Sequence, residues 1–149
     1  MVSKRAKKIL GNIIAIAIVL FYPMLISIYV KLPLFIGFSG YLIVLGVKRE
    51  RYIYSFFAFL YLLNLELNLS LPLLLTTLAV VLFYLFFYEK LIFLKRCEKC
   101  VALISVVMID LIYFFLLLIH DFIFTQSSIG INPLLLFSLI FDIIAAVLL

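Results

Sequence analysis

The chain has 149 residues, of which 69% are hydrophobic and 13% are charged, and its mean hydropathy is +1.42. A soluble domain is closer to half apolar and a quarter charged. A chain this short cannot bury so much apolar surface in one water-soluble core. The composition therefore excludes a soluble enzyme, a disordered tail and a secreted disulfide-rich scaffold. It predicts an all-α polytopic integral membrane protein with little mass outside the bilayer.

The chain carries a net charge of +5, from 12 Lys and Arg against 7 Asp and Glu. In a soluble protein such an excess could indicate nucleic acid. Here the basic residues lie in three clusters beside apolar segments, which is the pattern of cytoplasmic membrane flanks. We therefore expect membrane lipid, and no nucleic acid, among the partners of this chain.

The first apolar run, 9–30, has 22 residues and follows a basic cluster at 4–8. Its length is sufficient to cross the hydrocarbon core of a membrane as a helix. It is longer than the hydrophobic region of a signal peptide, and no small-residue cleavage site is visible. The sequence therefore predicts an uncleaved first span, kinked at Pro23 because proline removes one backbone donor.

The second apolar run, 32–47, has 16 residues. At about 1.5 Å per residue it extends roughly 24 Å, which is shorter than the ~30 Å hydrocarbon core. It can still span the membrane if the bilayer thins locally. Gly37 and Gly40 allow close helix approach, so we expect this span to pack inside a helix bundle.

The third run is predominantly apolar over 52–63 and is followed by a stretch, 64–72, in which polar and apolar residues alternate. A period of two is typical of extended or broken backbone rather than of a membrane helix. Such backbone survives at membrane depth when it is buried in protein or faces a wet cavity. We therefore predict a short third span that runs into an irregular segment containing Asn64 and Glu66. Glu66 would lie either in an interfacial loop or in a wet internal cavity.

Three more apolar runs complete a prediction of six spans in a single domain. The sixth is preceded by a polar stretch that includes Ser127 and Ser128. The three runs cover 71–88, 101–119 and 133–149.

Six spans place eleven of the twelve Lys and Arg on one side of the membrane, within 4–8, 48–51 and 90–99. Lys31 alone falls on the other side. Because loops rich in Lys and Arg stay in the cytoplasm, we predict that both termini are cytoplasmic.

Two carboxyl groups lie in the middle of predicted spans, Asp110 in the fifth and Asp142 in the sixth. Ionisable groups inside a span are costly, which makes them functional candidates. Ser138 and Ala146 lie four residues before and after Asp142, so the three share a small-residue face. Each carboxyl either belongs to a proton, ion or substrate site or bonds to a neighbouring helix or a partner's span.

Cys97 and Cys100 form a CxxC motif in the basic segment before span five. A structural zinc site needs four ligands, and the single His120 is predicted on the opposite side of the membrane. In the cytoplasm the two thiols are expected to be reduced. His120 and Asp121 are adjacent and point about 100° apart on a helix, so they should not face each other. No hydrolase, zinc-protease or phosphate-loop motif is present, and we expect no enzyme activity, cofactor or metal.

Taken together, the six short spans, the basic inside loops, the polar segment after span three and Asp110 in span five resemble the MreD family of rod-shape-determining membrane proteins. Residues 106–114 (VVMIDLIYF) are similar to that family's fifth span with its intramembrane Asp. The 64–72 segment occupies the place of the family's polar break. The resemblance implies a six-span fold similar to the substrate-binding subunits of energy-coupling-factor transporters, located in the bacterial inner membrane.

The resemblance also implies a function. MreD-like proteins are non-catalytic scaffolds of the elongasome, which controls cell shape and peptidoglycan synthesis. The expected partners are a bitopic MreC-like protein, bound through transmembrane helix contacts, and the cell-wall synthesis complex. The alternative is a small-molecule, vitamin-like binding subunit of a transporter, with a pocket near 64–70 and 120–132. The candidate partner or ligand contacts are Asp110, Asp142, Asn64 and Glu66. A scaffold is also expected to expose a small-residue face to a partner's span, and the candidate helix-packing faces are Gly37 and Gly40 in span two and Ser138 and Ala146 in span six.

Overall fold

The structure is a computed structural model that describes residues 4–29, 32–91, 93, 97–125 and 133–148. These residues form helices and no strand, which confirms the all-α prediction. A π-helical turn, Tyr84–Tyr88, joins the α-helices on either side of it, so that residues 75–91 form one continuous helical segment. The helices are α1 (Lys4–Ile28), α2 (Ile36–Lys48), α3 (Tyr52–Asn68), α4 (Leu75–Phe83), α5 (Glu89–Leu91), α6 (Glu98–Phe124) and α7 (Pro133–Leu148).

Helices α1, α2, α6 and α7 lie on the first, second, fifth and sixth predicted spans, and Pro23 lies inside α1 as predicted. Two of these helices are long and apolar enough to cross a membrane, over Ile9–Ile28 and Glu98–Phe124. The apolar helices over Ile36–Lys48 and Leu135–Leu148 are shorter. The all-helical architecture is therefore established, whereas the six-span arrangement stays a prediction.

The predicted break after residue 63 is wrong, because α3 continues through 64–68 as a regular helix. The side-chain amide of Asn64 donates to the Val19 carbonyl of α1 at 2.9 Å, and that of Asn68 donates to the Asn64 carbonyl at 2.8 Å. The polar side chains thus bond to a neighbouring helix and to the preceding turn, and extended backbone is not needed to satisfy them. The non-helical segment falls instead at 69–74.

The predicted fourth span, 71–88, begins with this non-helical segment rather than with helix. Ser70 and Leu74 have left-handed backbone, with φ of 52° and 66°, and Pro72 lies between them. The backbone N–H of Leu71 donates to the Glu66 carbonyl at 3.0 Å, which turns the chain at the end of α3. Helix α4 therefore starts only at Leu75.

Helix α2 is central to the bundle and packs against α3, α4, α6 and α7, while α1 packs mainly against α3. Fully buried side chains such as Phe83 and Tyr113 fill the interior. The outer surface carries large apolar side chains, including Phe21 at 64% and Phe122 at 86% exposure. Extensive exposed apolar surface indicates contact with lipid or with a protein partner.

Several residues used in the sequence argument lie outside the described residues. They are Val30, Lys31, Lys95, Arg96, Gln126, Ser127, Ser128, Gly130 and Leu149.

Candidate functional site: the buried start of helix α2

Helix α2 begins inside the protein and takes its N-terminal cap from another helix. Phe35, which precedes it, has left-handed backbone (φ 51°) and no capping side chain. The first N–H groups of a helix lack intrahelical partners. Here Asp142 Oδ2 of α7 accepts a hydrogen bond from the Gly37 N–H at 3.3 Å. Asp142 therefore caps α2 from a distant part of the chain.

Ser138, one turn before Asp142 in α7, bonds to the backbone just before α2. Its Oγ accepts a hydrogen bond from the Leu34 N–H at 3.0 Å. The sequence spacing predicted that Ser138 and Asp142 share a helix face, and both indeed point at residues 34–37. One face of α7 thus satisfies backbone donors on both sides of Phe35.

Two tyrosines satisfy the carbonyl groups of the same segment. The Tyr22 hydroxyl of α1 donates to the Pro33 carbonyl at 3.0 Å, and the Tyr61 hydroxyl of α3 donates to the Leu34 carbonyl at 2.8 Å. The two rings are 6.2 Å apart, and the Tyr22 ring lies 5.8 Å from that of Phe35. Sequence reasoning missed both tyrosines. The sequence indicated only that a buried tyrosine hydroxyl needs a hydrogen-bond partner, and this does not distinguish Tyr22 and Tyr61 from the other seven tyrosines.

Asp110 of α6 completes the site. A Cβ on Gly37 would lie 2.6 Å from Asp110 Oδ2, so the carboxyl occupies the space that a side chain at position 37 would need. Asp142 Oδ2 accepts the N–H of the same Gly37 at 3.3 Å, so the carboxyl groups of Asp110 and Asp142 lie side by side against this residue. The structure therefore brings together the two intramembrane candidates that the sequence placed on separate spans.

In the part of the chain that the structure describes, neither Asp110 nor Asp142 forms an ion pair with a Lys or Arg. Among the described residues, the recorded ion pair joins His120 and Asp121 and involves neither carboxyl. Asp110 Oδ2 and Asp142 Oδ1 are buried without a hydrogen-bond donor. A helix N-terminus carries partial positive charge and stabilises an anion. The site therefore suits one negative charge at the start of α2, with a second carboxyl beside it.

Glu66 caps the N-terminus of α4, as Asp142 caps the N-terminus of α2. It is completely buried, and its carboxylate accepts hydrogen bonds at 2.7 Å from the Leu74 N–H, the Thr76 N–H and the Thr76 hydroxyl. Leu74, which precedes α4, has no capping side chain of its own. The interfacial-loop interpretation of Glu66 is therefore wrong, since the residue is helical and fully buried. It bonds to the backbone of Leu74 and to Thr76, and sequence reasoning missed Thr76.

Gly37, Gly40, Ser138 and Ala146 are helix-packing positions, as predicted, but they face the interior of the bundle. A Cβ on Gly40 would lie 2.9 Å from the Val80 side chain of α4, and Ala146 is 1% exposed. The expectation that these residues offer an exposed face to a partner is therefore wrong. Because these residues are small, helices α2, α4, α6 and α7 can pack closely together.

The prediction of two reduced thiols is also wrong, because Cys97 and Cys100 form a disulfide in this structure. Cys97 is the N-cap of α6, and its Sγ accepts from the Cys100 N–H at 3.2 Å. The cap geometry brings the two Cα atoms to 5.2 Å, within the range that a disulfide requires. The described residues contain no group of three or more His, Cys, Asp or Glu placed to hold a metal ion.

His120 and Asp121 approach each other more closely than helical spacing predicted. His120 Nδ1 lies 3.6 Å from Asp121 Oδ1, and the His120 ring lies 4.5 Å from that of Phe124. The expectation that the two side chains do not face each other is wrong, because side-chain rotation closes the angle between their backbone positions. His120 Nδ1 is buried and accepts or donates no hydrogen bond among the described residues.

A groove of about 1190 Å³ lies between α1 on one side and α2 and α3 on the other. One end reaches Tyr22, Phe35 and Tyr61 and is therefore continuous with the start of α2. The opposite end reaches Asn12 and Arg51. Between these ends the lining includes small and apolar residues: Gly11, Ala15, Ile18, Val19, Phe38, Leu42, Phe57, Ala58 and Ala145.

The fold and the site define an all-helical protein in which buried carboxylates cap two short internal helices beside a long lateral groove. Comparisons with protein-family models, curated proteins and solved structures found no match to this chain. The geometry of the groove and of the α2 site is therefore what supports a function.

Proposed function

We propose that this protein is a non-catalytic, multi-pass scaffold of the bacterial inner membrane, similar in role to the MreD family. In this proposal it binds the transmembrane helix of a bitopic MreC-like partner and takes part in the cell-wall elongation complex. The observation that carries the proposal is the apolar groove between α1, α2 and α3. The small-residue faces of α2 and α7, which were expected to contact the partner's helix, are buried. We therefore place this contact in the groove.

The lining of the groove suits a helix. Gly11, Ala15, Ala58 and Ala145 have small side chains, which let two helix backbones approach closely in a membrane. The α1 part of the lining runs from residue 11 to residue 22, about 17 Å at 1.5 Å per residue. The groove thus follows roughly half of a membrane span.

The packing of α1 supports the same proposal. Because α1 packs mainly against α3, much of its length is not covered by the rest of the bundle. Ile18 of α1 and Ile53 of α3 line the groove, and each is more than half exposed. A helix inserted beside α1 would cover apolar surface that otherwise faces lipid, and its contact would be van der Waals packing, which drives helix association in bilayers.

A multi-pass arrangement in the inner membrane is part of the proposal. Two helices have the length and apolarity to cross a bilayer, and large apolar side chains cover the outer surface. The non-helical segments before α2 and α4 are bonded to buried side chains, which is the condition for irregular backbone at membrane depth. The distribution of Lys and Arg supports cytoplasmic termini.

The scaffold proposal is tested by co-purification from the native membrane. We expect a single-span MreC-like protein to co-purify with the wild-type chain, and depletion of the chain to abolish rod shape. Ala15→Phe fills the groove and should release the partner, whereas Leu20→Phe, an exposed position of α1 outside the groove lining, should retain it. Retention of the partner by both variants would contradict docking in the groove.

The alternative, a small-molecule binding subunit, is supported by the aromatic end of the same groove. Tyr22, Phe35, Phe38 and Tyr61 gather there, and ligand pockets combine apolar walls with a few polar groups. Equilibrium dialysis of the purified protein against a panel of water-soluble vitamins tests it. Saturable binding that Ala15→Phe abolishes would favour this function over the scaffold.

A further inference from the structure

We propose that Asp110 and Asp142 form a proton-binding site, in which the two carboxyl groups hold one proton between them at the start of α2. This inference concerns the interior of the bundle and does not depend on the proposed scaffold function. It rests on the placement of two carboxyls from different helices against the same backbone turn.

The first step concerns one oxygen of each carboxyl group, which is buried and has no hydrogen-bond donor. If both groups were ionised, Asp110 Oδ2 and Asp142 Oδ1 would each be buried without a donor. Asp142 is completely buried. Two carboxylates in one buried site disfavour each other's ionisation, and two carboxyls form a hydrogen bond only when one of them carries a proton. A single shared proton satisfies both oxygens.

The second step is the difference between the two groups. The Gly37 N–H donates to the Asp142 carboxyl at 3.3 Å, and the N-terminus of α2 stabilises negative charge there. The Asp110 carboxyl lies beside it, in the space left by Gly37. We therefore place the negative charge on Asp142 and the donating proton on the Asp110 side of the pair.

The third step is the surroundings. The titratable groups that face the pair from other helices are the hydroxyls of Tyr22 in α1 and Tyr61 in α3. Both hydroxyls donate to backbone carbonyls of the 32–35 segment. Helix α2 contributes backbone N–H groups, and α4 contains no ionisable residue. No Lys or Arg among the described residues pairs with either carboxyl, so no side-chain cation there offsets their charge.

Removal of the proton has a structural consequence. It would leave two negative charges side by side against Gly37 inside the bundle, where like charges repel strongly. The stability that the pair contributes is therefore present while it holds its proton and is lost as the pH rises through its titration. The affected segment is the start of α2, which also closes one end of the groove.

Infrared spectroscopy of the full chain in lipid bilayers tests the proposal. Near neutral pH the wild type should show the carbonyl stretch of a protonated carboxyl, shifted in D₂O and lost at high pH. Asp110→Asn should remove this band. Glu66→Gln is the control, because Glu66 is completely buried like Asp142 but accepts three hydrogen bonds, and it should keep the band. A wild type without the band, or a band that survives replacement of both aspartates, would overturn the proposal.

A second measurement needs no variant and therefore does not depend on how the substitutions fold. Dicyclohexylcarbodiimide reacts with protonated carboxyl groups in apolar surroundings, and mass spectrometry locates the adduct. We expect an adduct on Asp110 or Asp142 that declines as the pH rises, and none on Glu66. Labelling of Glu66 to the same extent, or of neither aspartate, would overturn the proposal. Neither measurement involves the MreC-like partner, so failure of the scaffold proposal would leave this one intact.

Discussion

Asp142 and Gly37 are 105 positions apart in the chain, yet the Asp142 carboxylate accepts the Gly37 N–H at 3.3 Å and caps helix α2. Glu66 and Thr76 repeat this relationship at the start of α4. In both cases the residue before the helix has left-handed backbone and no capping side chain. The starts of the two short helices are therefore set by tertiary contacts with buried acidic residues.

Gly37→Ala should destabilise the bundle, because the new Cβ would lie 2.6 Å from Asp110 Oδ2. Overpacking of this kind costs about 1–3 kcal/mol. Gly11→Ala is the control, since nothing lies within 4 Å of its Cβ position and alanine favours helix by up to about 1 kcal/mol. Thermal unfolding in detergent compares the two. Equal midpoints would show that Asp110 does not lie against Gly37.

Glu66→Ala should lower the free energy of unfolding, because it leaves the buried N–H of Thr76 without its acceptor. An unsatisfied buried donor costs about 1–3 kcal/mol. Glu89→Ala removes an exposed carboxylate of α5 and should change stability by less than about 0.5 kcal/mol. Chemical unfolding followed by circular dichroism measures both. If Glu89→Ala were the more damaging change, the capping role of Glu66 would be excluded.

Tyr61→Phe removes the hydroxyl that donates to the Leu34 carbonyl at 2.8 Å. The expected loss is about 1 kcal/mol, as for a typical buried hydrogen bond. Tyr54→Phe, at a 59% exposed position of the same helix, should have almost no effect. Hydrogen exchange adds a local readout, since the amides of the first turn of α2 should lose protection in Tyr61→Phe only. Unchanged protection there would contradict the proposed role of Tyr61.

The six-span topology predicts that residue 127 lies outside the cytoplasm. A reporter fused at Ser127, which is active only after export, should therefore be active. The same reporter fused after Leu91 should be inactive, because the segment following α5 is predicted to be cytoplasmic. A Ser127 fusion that stays cytoplasmic would exclude the predicted topology.

Composition and hydropathy were sufficient to predict helices, the kink-forming Pro23 within α1 and the packing role of Gly37 and Gly40. They also marked Asp110 and Asp142 as unusual, because a carboxyl in an apolar run is costly whatever surrounds it. These features depend on single residues or on local spacing, and the sequence displays both directly.

The pairing of Asp110 with Asp142 could not be predicted, because it depends on how α6 and α7 pack around the start of α2. The alternating segment at 64–68 was misinterpreted for a related reason. The side-chain amide of Asn64 donates a hydrogen bond to the carbonyl of Val19 in α1, which lies 45 positions earlier in the chain. A local period cannot reveal such a partner.

Photocrosslinking in native membranes tests the central claim, that the groove beside α1 holds a partner's transmembrane helix. A photoreactive amino acid is placed at Ala15 or Ala58 in the groove, and at Leu111, a half-exposed position of α6 outside it. The account predicts an adduct from both groove positions to the transmembrane segment of one single-span MreC-like protein, and none from Leu111. Adducts with lipid alone at Ala15 and Ala58, or the same protein adduct at all three positions, would contradict it.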